Sequence, residues 1–517
     1  MVSPTRRNSQ RPVATVASLL SVLLWISLST ACSPSLPLPE PTPSPSPSGE
    51  ETPAETPTLP AETQTPVLTP TQAPETPTPE PTPTLEPTAT PPLDSFALEP
   101  CSDRKKNFWV WDTAVMPPRS VSVPATCRFI GPGSYIYVAD DQWETYVSEQ
   151  MAHEFAVAFE YRLERIAPVT TLEEDVGILD NDRAIFGELP DALDNDPRMY
   201  VLLVDIPDYV NDEGDVFRFD GYFNAYDQMT DEQAQRSTFG LYHSNEVEML
   251  YLNARIRPVT DPYTLAVAAH ELQHLIHYNY DTSEEIWMNE ALAEVAMLVN
   301  GLFTDIGWVQ RYASDPSIPL VTNTASGSYG AYLLWGMYLY EQVGPGFMFT
   351  LQEEQQDGIS GLNRALKTVG RNTDFEALFL DWVVANYLQD PNLEDGRYGY
   401  TFTETLPMLA SRAVMGPSLA LYEDAVESFG AHYIEVVDVP SKSTLSVSSR
   451  DIDLLSAQLI RHTPKGVEVE TLRGGGPNSL EISLEGGADY TYTLVVTNLD
   501  TRGIDSGEGV NYEVLWE

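Results

Sequence analysis

Basic side chains are scarce in this chain. Its 517 residues include 28 lysines and arginines but 76 aspartates and glutamates, which gives a formal net charge of −48. A protein that binds nucleic acid neutralises phosphates with a basic patch, so this balance argues against nucleic acid as a partner. The excess of acidic groups fits a solvated protein outside the cytoplasm, and it does not indicate a substrate.

Cysteine is scarce too, with three residues. The first, Cys32, follows three arginines within the first eleven residues, an apolar run over residues 13–28 and the letters LSTA. This order predicts a secretory signal peptide over residues 1–31. The ending resembles a bacterial lipoprotein signal, which implies that Cys32 is lipidated and anchors the protein to a membrane. Ordinary secretion after cleavage nearby is the alternative.

The other two cysteines, Cys101 and Cys127, belong to a chain that we expect to be exported to the cell surface or secreted. Disulfides persist in that oxidising compartment. With one pair of cysteines beyond the signal, we expect Cys101 and Cys127 to form a disulfide.

Residues 32–95 are rich in Pro, Thr, Ser and Glu. Such a tract has too little apolar surface to offset the entropy of ordering it, and its prolines keep it extended. We therefore expect a disordered stalk that holds the folded part of the protein away from the membrane and carries no chemistry.

The rest of the chain divides into three regions by its pattern. Residues 96–260 mix short strands with helical stripes, residues 261–412 are mainly helical, and residues 418–517 contain short alternating strands separated by Gly, Pro, Asn and Asp. The last pattern is typical of a β-sandwich. The sequence therefore predicts an α+β fold with a mixed α/β N-terminal lobe, a helical lobe and a C-terminal all-β sandwich. The sandwich could hold substrate, dock on the rest of the body or act as a spacer.

Two histidines in the helical region are candidate metal ligands. His270 and His274 lie in the run HELQH, within an apolar segment for which Asp261 is a plausible N-cap and Pro262 a first helical residue. Residues four apart share one face of a helix, so both imidazoles can reach one metal ion. Glu271 lies one residue further round, and H-E-x-x-H on a helix is a zinc-peptidase motif. Two histidines in an amphipathic helix are the alternative.

A catalytic zinc ion needs a third protein ligand and an open position for water. The segment EEIWMNEALAE offers Glu290, which lies among apolar residues where a carboxylate needs a partner. Glu294 lies one turn further along the same face and can accept a hydrogen bond from a ligand histidine, which fixes the tautomer of that histidine. The alternative is that Glu290 is a solvated helix carboxylate.

At these residues the chain resembles the gluzincin metallopeptidases, whose third ligand is the glutamate of an N-E-A/G motif on the helix after H-E-x-x-H. Asn289-Glu290-Ala291 stands in that place, and Glu294 matches the acidic residue four further on, which is usually aspartate in the thermolysin-like pattern. The runs HELQHLIHY, WMNEALAE and SYGAYLL are most similar to the hyicolysin-like branch, whose members are secreted or surface proteins. The resemblance covers about residues 198–345 and implies a zinc-dependent peptidase.

The resemblance implies hydrolysis of a protein or peptide substrate by water that one Zn²⁺ ion activates, with Glu271 as general base. We expect an edge strand over residues 246–253 to pair with the extended substrate. The oxyanion of the intermediate needs a donor, and none of the seven histidines lies between residues 278 and 431. Tyrosine is the remaining good donor, which indicates Tyr329, with Tyr332 in reserve. A packing tyrosine at the start of a helix is the alternative.

His277 and three aspartate-rich stretches could also bind metal. His277 lies on the same helix as His270, too far along the axis to complete the same tetrahedron, so we expect it to be a packing or cleft-wall residue. The aspartates at 180–183, 194–197 and 211–215 could hold structural Ca²⁺ through oxygen ligands, although they lack EF-hand spacing. Solvated turns are the alternative for these stretches.

Whether such an enzyme cleaves within a peptide or at its N-terminus is indicated by a motif that this chain lacks. Aminopeptidases of this clan capture the free amine of the substrate with glutamates of a G-x-M-E-N motif, and the nearest text here is NEVEM. Glu246 and Glu248 would share one face of a strand, either as an amine-binding pair or as its solvated side. We expect the solvated side, which leaves the cleft open at both ends and favours an endopeptidase.

A protein that is not an enzyme is the competing interpretation. It would be a surface binding or adhesion lipoprotein, with a degenerate or structural metal site and with the sandwich as its working part. The motif argues against it, because a purely structural site has no need of Glu271. One zinc ion per chain together with chelator-sensitive proteolysis would support the enzyme.

Overall fold

The structure of the protein is a computed structural model. It describes residues 96–162, 176–191, 193–212, 214–302, 307–322, 329–403, 406–440, 442–487 and 490–517. The predicted signal peptide, the predicted stalk and the predicted lipidation site Cys32 lie outside these residues. None of the helices within them is both long and apolar enough to cross a membrane.

A seven-stranded mixed sheet organises the N-terminal region. The strands of this region are β1 (Glu99–Pro100), β2 (Lys105–Asp112), β3 (Arg119–Ile130), β4 (Ser134–Ala139), β5 (Met199–Val204), β6 (Tyr209–Val210), β7 (Val216–Phe217), β8 (Gly221–Phe223) and β9 (Met249–Asn253). The sheet order is β1-β3-β4-β5-β9-β8, with β2 also paired to β3, while β6 and β7 form a separate pair. The helices of this region are α1 (Glu149–Glu160), α2 (Ile178–Phe186) and α3 (Asp231–Ser237). A disulfide joins Cys101 to Cys127, the pair that the sequence predicts.

The middle of the sheet is parallel and buried on both faces. β4, β5 and β9 run parallel to one another. Val201 and Leu250 belong to the large core that the helices share, whereas Leu202 and Tyr251 point into a smaller core on the opposite face. Strands covered on both faces are typically continuous apolar runs, and this is the composition of all three.

The edge of the sheet is β8, which corrects the expectation for residues 246–253. Only residues 249–253 form a strand, β9, and it lies between β5 and β8 with all five residues buried. Glu248 is buried, whereas Glu246 is exposed and has a φ of 57° before the strand begins, so the two do not form one solvated face. The expectation was wrong because a strand that is apolar on both faces belongs in the interior of a sheet, where its backbone is hydrogen-bonded on both sides.

Seven helices follow within the described residues. They are α4 (Pro262–Tyr280), α5 (Ile286–Val299), α6 (Gly307–Ser314), α7 (Tyr329–Val343), α8 (Gly346–Gln352), α9 (Gly358–Thr368) and α10 (Phe375–Leu388). The start of α4 is the predicted one, since the Asp261 side chain accepts a hydrogen bond from the N–H of Tyr263 and Pro262 takes the first position. The sequence pattern predicts α4, α5, α7 and α10 and misses the shorter α6, α8 and α9.

A glycine sets how closely α7 approaches α5. A Cβ atom added to Gly336 of α7 would lie 2.5 Å from the carbonyl oxygen of Ala291 and 2.7 Å from a methyl group of Val295, both on α5. The two helix backbones therefore touch at this point, and any side chain on residue 336 would push them apart.

The described part of the C-terminal region consists of β-strands apart from one short 3₁₀ helix, Ile452–Leu454. Its strands are β10 (Ala413–Met415), β11 (Leu421–Val426), β12 (Ala431–Val436), β13 (Lys442–Ser448), β14 (Leu455–Thr463), β15 (Gly466–Thr471), β16 (Arg473–Gly476), β17 (Ser479–Glu485), β18 (Thr491–Asn498) and β19 (Val510–Trp516). They form two five-stranded sheets, β10-β12-β18-β14-β15 and β11-β19-β13-β17-β16. Apolar residues of both sheets, such as Leu494 and Val514, share one core. The all-β C-terminal part is confirmed, although it begins at Ala413 rather than at residue 418.

The sheet that contains β12 and β18 also packs on the helical region. The Tyr433 hydroxyl donates to the carbonyl of Val383 over 2.7 Å, and the rings of Tyr433 and Tyr387 stack with their centroids 5.7 Å apart. The Thr493 hydroxyl donates to the Tyr387 hydroxyl over 2.7 Å. Of the three roles that the sequence leaves open for this region, docking on the helical lobe is the one that these contacts describe.

Replacing Gly336 with alanine should destabilise the protein, because the new Cβ would overlap the backbone of α5. We expect the free energy of unfolding to fall by roughly 1–3 kcal/mol, the usual cost of overpacking. Gly346→Ala is the matched control, since a Cβ at residue 346 meets nothing within 4 Å. Urea unfolding of both variants measures the difference, and equal stabilities would contradict the close approach of α7 to α5.

Candidate metal centre

Three predicted metal ligands come together between α4 and α5. The Nε2 atom of His270 lies 3.3 Å from Oε2 of Glu290, and the Nε2 atom of His274 lies 3.8 Å from the same oxygen. One ligand atom from each of the three residues lies within 4.8 Å of the other two. The i, i+4 spacing on α4 supplies the two imidazoles on one face, and the packing of α5 along α4 supplies the carboxylate.

The state of these atoms fits a bound cation. The three side chains are at most 3% exposed. His270 Nε2, His274 Nε2 and Glu290 Oε2 make no hydrogen bond within the described part of the chain. A buried polar atom without a partner costs free energy, and three that converge on one point are suited to hold a cation. Two imidazoles and one carboxylate form the ligand set of a catalytic zinc site with a position left for water.

Burial also keeps both histidines in the form that binds metal. It lowers the pKa of His270 to about 3. It lowers the pKa of His274 to about 4, although the nearby Glu290 carboxylate acts in the opposite direction. Both rings are therefore neutral at pH 7, and each can direct a nitrogen lone pair at a metal.

The Nδ1 atoms of the two histidines face side chains of α5. The Nδ1 atom of His274 lies 2.9 Å from Oδ1 of Asn289. An amide oxygen only accepts, so Nδ1 carries the proton and Nε2 carries the lone pair. The Nδ1 atom of His270 lies 3.5 Å from Oε1 of Glu294, the residue predicted to orient a ligand. The sequence did not reveal the role of Asn289, although its position next to Glu290 was the available signal.

Glu271 lies beside the ligands without joining them. Its side chain is fully buried, and Oε2 accepts the backbone N–H of Phe223 over 2.8 Å. Phe223 is the last residue of the edge strand β8. The predicted general base is therefore fixed between the metal ligands and the strand that borders them.

The two candidate tyrosines, Tyr329 and Tyr332, lie close to Glu290. Tyr329 opens α7, and its hydroxyl donates a hydrogen bond to the Glu290 carboxylate. Tyr332 is 2% exposed, and its hydroxyl makes no hydrogen bond within the described residues. Burial raises the pKa of Tyr332 above its ordinary range, and the negative charges of Glu290 and Asp505 raise it further. The Tyr332 hydroxyl therefore keeps its proton, the Tyr329 hydroxyl already donates to Glu290, and both lie near the candidate ligands, so both can act as donors.

His277 is buried and makes a side-chain hydrogen bond. It is 1% exposed, and its Nδ1 atom lies 3.2 Å from Oδ1 of Asn289, the oxygen that His274 also uses. A ring nitrogen of His277 and carboxylate oxygens of Asp281 and Glu284 form a second group within 4.8 Å. The sequence does not predict this group, although the spacing of four residues between His277, in the last turn of α4, and Asp281, which follows the helix, was a signal for it.

Aspartates of the aspartate-rich stretches accept hydrogen bonds from residues distant in sequence. Asp182 accepts a hydrogen bond from the side chain of Asn300, and Asp196 accepts one from the Tyr135 hydroxyl. Within the described residues, none of the three stretches contributes to a group of three metal ligands. A structural Ca²⁺ ion in these stretches stays a prediction.

Comparison with known proteins finds only slight similarities. No protein-family model matches the chain, and no curated protein does. The chain is similar over 21% of its length to the pre-peptidase C-terminal domain of a collagenase from Bacillus anthracis, with 17% identity, 97% of that domain covered and a TM-score of 0.15. It is similar over 21% of its length to CorA, a surface-associated copper-binding protein of Methylomicrobium album BG8, with 11% identity, 98% of that chain covered and a TM-score of 0.16. Similarities this slight carry no argument about fold or function.

Replacing Asn289 with alanine should weaken zinc binding. The substitution removes the oxygen that orients His274, and the loss of such a partner lowers metal affinity by roughly 10–100-fold. Asn289→Asp keeps an acceptor at the same place and should retain most of the affinity. Competition with a chromophoric chelator measures both variants. Equal affinities for the alanine variant and the natural protein would show that Asn289 does not hold the ligand.

Proposed function

We propose that the protein is a zinc-dependent endopeptidase of the gluzincin type, anchored at or released from the cell surface. The observation that carries the proposal is the convergence of His270, His274 and Glu290 with their ligand atoms buried and without hydrogen bonds. A structural metal site could share that feature. The fully buried Glu271 one residue from His270 favours an enzyme, because a structural site does not need a further carboxylate.

The chain's own residues supply the parts that the reaction requires. Zn²⁺ held by His270, His274 and Glu290 would lower the pKa of a water ligand toward about 7 and polarise the scissile carbonyl. Glu271 would accept the proton of the attacking water and deliver it to the leaving amine. The hydrogen bond from the Phe223 N–H keeps that carboxylate in one orientation, which is what a general base needs.

The substrate would lie along β8. This strand is paired to β9 on one side, and its last residue donates to Glu271. An extended peptide would add as a further strand at the other edge of β8. Its backbone would form hydrogen bonds with β8, and the peptide would pass beside Glu271, the proposed general base. β9 cannot serve this purpose, because it is paired on both sides.

The two upstream glutamates give no support for capture of a free amine. Glu248 is buried, and the Glu246 carboxylate accepts the backbone N–H of Asp231. They lie before β9 rather than together on one face of it. A cleft without an acidic pair at one end favours internal cleavage of peptides.

Glu271→Gln should abolish cleavage and keep zinc. The amide occupies the space of the carboxylate but cannot accept the proton, and loss of a general base costs roughly 10²–10⁴-fold in rate. The exposed Glu376 gives the control variant Glu376→Gln, which should cleave normally. The assay is an internally quenched peptide with acetylated and amidated ends, beside a free-amine aminoacyl reporter. Cleavage of the reporter alone would overturn internal cleavage, and an active Glu271→Gln variant would overturn the role of Glu271.

Tyr329→Phe should lower kcat by roughly tenfold or more while zinc is retained, which is the scale for losing one oxyanion donor. Tyr332→Phe is the paired variant, because its hydroxyl also lies near Glu290. Zinc content and kcat are measured for both. If Tyr329→Phe loses zinc but keeps its turnover per bound ion, then Tyr329 positions Glu290, and the oxyanion donor would be Tyr332.

A further inference from the structure

A second group of metal-ligand atoms lies where α4 ends and the chain turns into α5. A ring nitrogen of His277 and one carboxylate oxygen each of Asp281 and Glu284 lie within 4.8 Å of one another. His277 belongs to the last turn of α4, Asp281 is the residue that follows the helix, and Glu284 lies two residues before α5 begins. All three side chains are buried.

Two atoms of this group have no partner. His277 is 1% exposed and Asp281 is 8% exposed, and His277 Nε2 and Asp281 Oδ2 make no hydrogen bond within the described part of the chain. Glu284 is held differently, since its Oε1 atom accepts the backbone N–H groups of Glu285 and Gly358 over 2.6 and 2.7 Å. Its second oxygen is therefore the one left for a ligand.

The charges in this pocket are of one sign. The charged groups nearest the Glu284 carboxylate are Asp281 and Asp357, both acidic. The Ser283 hydroxyl donates to Asp281 and lies within hydrogen-bonding distance of Asp357 as well, which brings the carboxylates together around one loop. Buried carboxylates without a basic partner are costly unless they neutralise or bind a cation.

The tautomer of His277 is suited to a metal. Its Nδ1 atom is hydrogen-bonded to Oδ1 of Asn289, an acceptor only, so Nδ1 carries the proton. The lone pair is then on Nε2, the nitrogen that lacks a hydrogen-bond partner. This is the arrangement that a neutral ligand histidine shows when an outer acceptor fixes its orientation.

We propose that His277, Asp281 and Glu284 bind a second divalent cation of the Zn²⁺ class. An imidazole nitrogen with two carboxylates suits zinc or manganese, whereas Ca²⁺ and Mg²⁺ take oxygen ligands. The second cation would tie the end of α4 to the turn before α5 and, through the backbone contact of Glu284 with Gly358, to α9.

The two proposed sites share one side chain. Oδ1 of Asn289 accepts from His274 over 2.9 Å and from His277 over 3.2 Å. Filling the second site would fix His277, and with it the amide that orients a ligand of the first. We infer that the second cation positions the first site rather than the substrate, so its loss should weaken zinc binding by His270, His274 and Glu290 without abolishing it.

Metal counting in paired variants tests the second site. The purified full chain is stripped of metal with a chelator, loaded with excess ZnCl₂ and desalted. Elemental mass spectrometry then measures the zinc bound per chain. We expect about two zinc ions in the natural protein, about one in His270→Ala, about one in Asp281→Asn, and none in the double variant. Asp453→Asn changes an exposed aspartate of the sandwich region and should keep both ions. Circular dichroism verifies that each variant folds, and His277→Gln replaces Asp281→Asn if the latter does not.

The outcomes separate this inference from the proposed function. One ion that His270→Ala removes and Asp281→Asn leaves would overturn the second site while the endopeptidase proposal stands. One ion that Asp281→Asn removes and His270→Ala leaves would support the second site and overturn the first. A chain that binds no zinc would overturn both.

Discussion

The packing of α5 along α4 is the contact on which the rest of the structure depends. It buries two imidazoles of one helix against a carboxylate of the next, and it leaves the facing atoms without hydrogen bonds. Such an arrangement is unfavourable unless a cation completes it. The close contact at Gly336 packs α7 against α5. The packing of α4, α5 and α7 on one another therefore sets the position of Glu290.

The sheet contributes through its edge. α4 packs on β9 and β8 at the end of the sheet, and β8 is the edge strand. The hydrogen bond from the Phe223 N–H to Glu271 ties that edge to the residue next to His270. The layering of the sheet on the helix thereby brings Glu271, the candidate ligands and the edge strand β8 into one place.

A network of side chains extends the site toward the end of α4. Oδ1 of Asn289 accepts hydrogen bonds from both His274 and His277. Asp281 and Glu284 lie close to His277, in the turn before α5. The C-terminal β region contacts α10 through Tyr433 of β12 and Thr493 of β18, and it does not contribute a ligand to either group. These are the contacts of a region that is docked on the helical lobe.

The sequence by itself determined the parts that depend on local periodicity. The start of α4 at Asp261 and Pro262, the common face of His270 and His274, and the alternating strands beyond residue 418 follow from spacing along the chain, because helix and strand repeats place side chains without reference to distant residues. The resemblance to a family pointed to Glu290. Only the tertiary structure decided that β8 and not β9 is the edge, that Asn289 orients two histidines, and that Asp281 and Glu284 meet His277. These features depend on which segments become neighbours, and pairing between segments far apart in sequence is set by the packing of the whole core rather than by the pattern of any one of them.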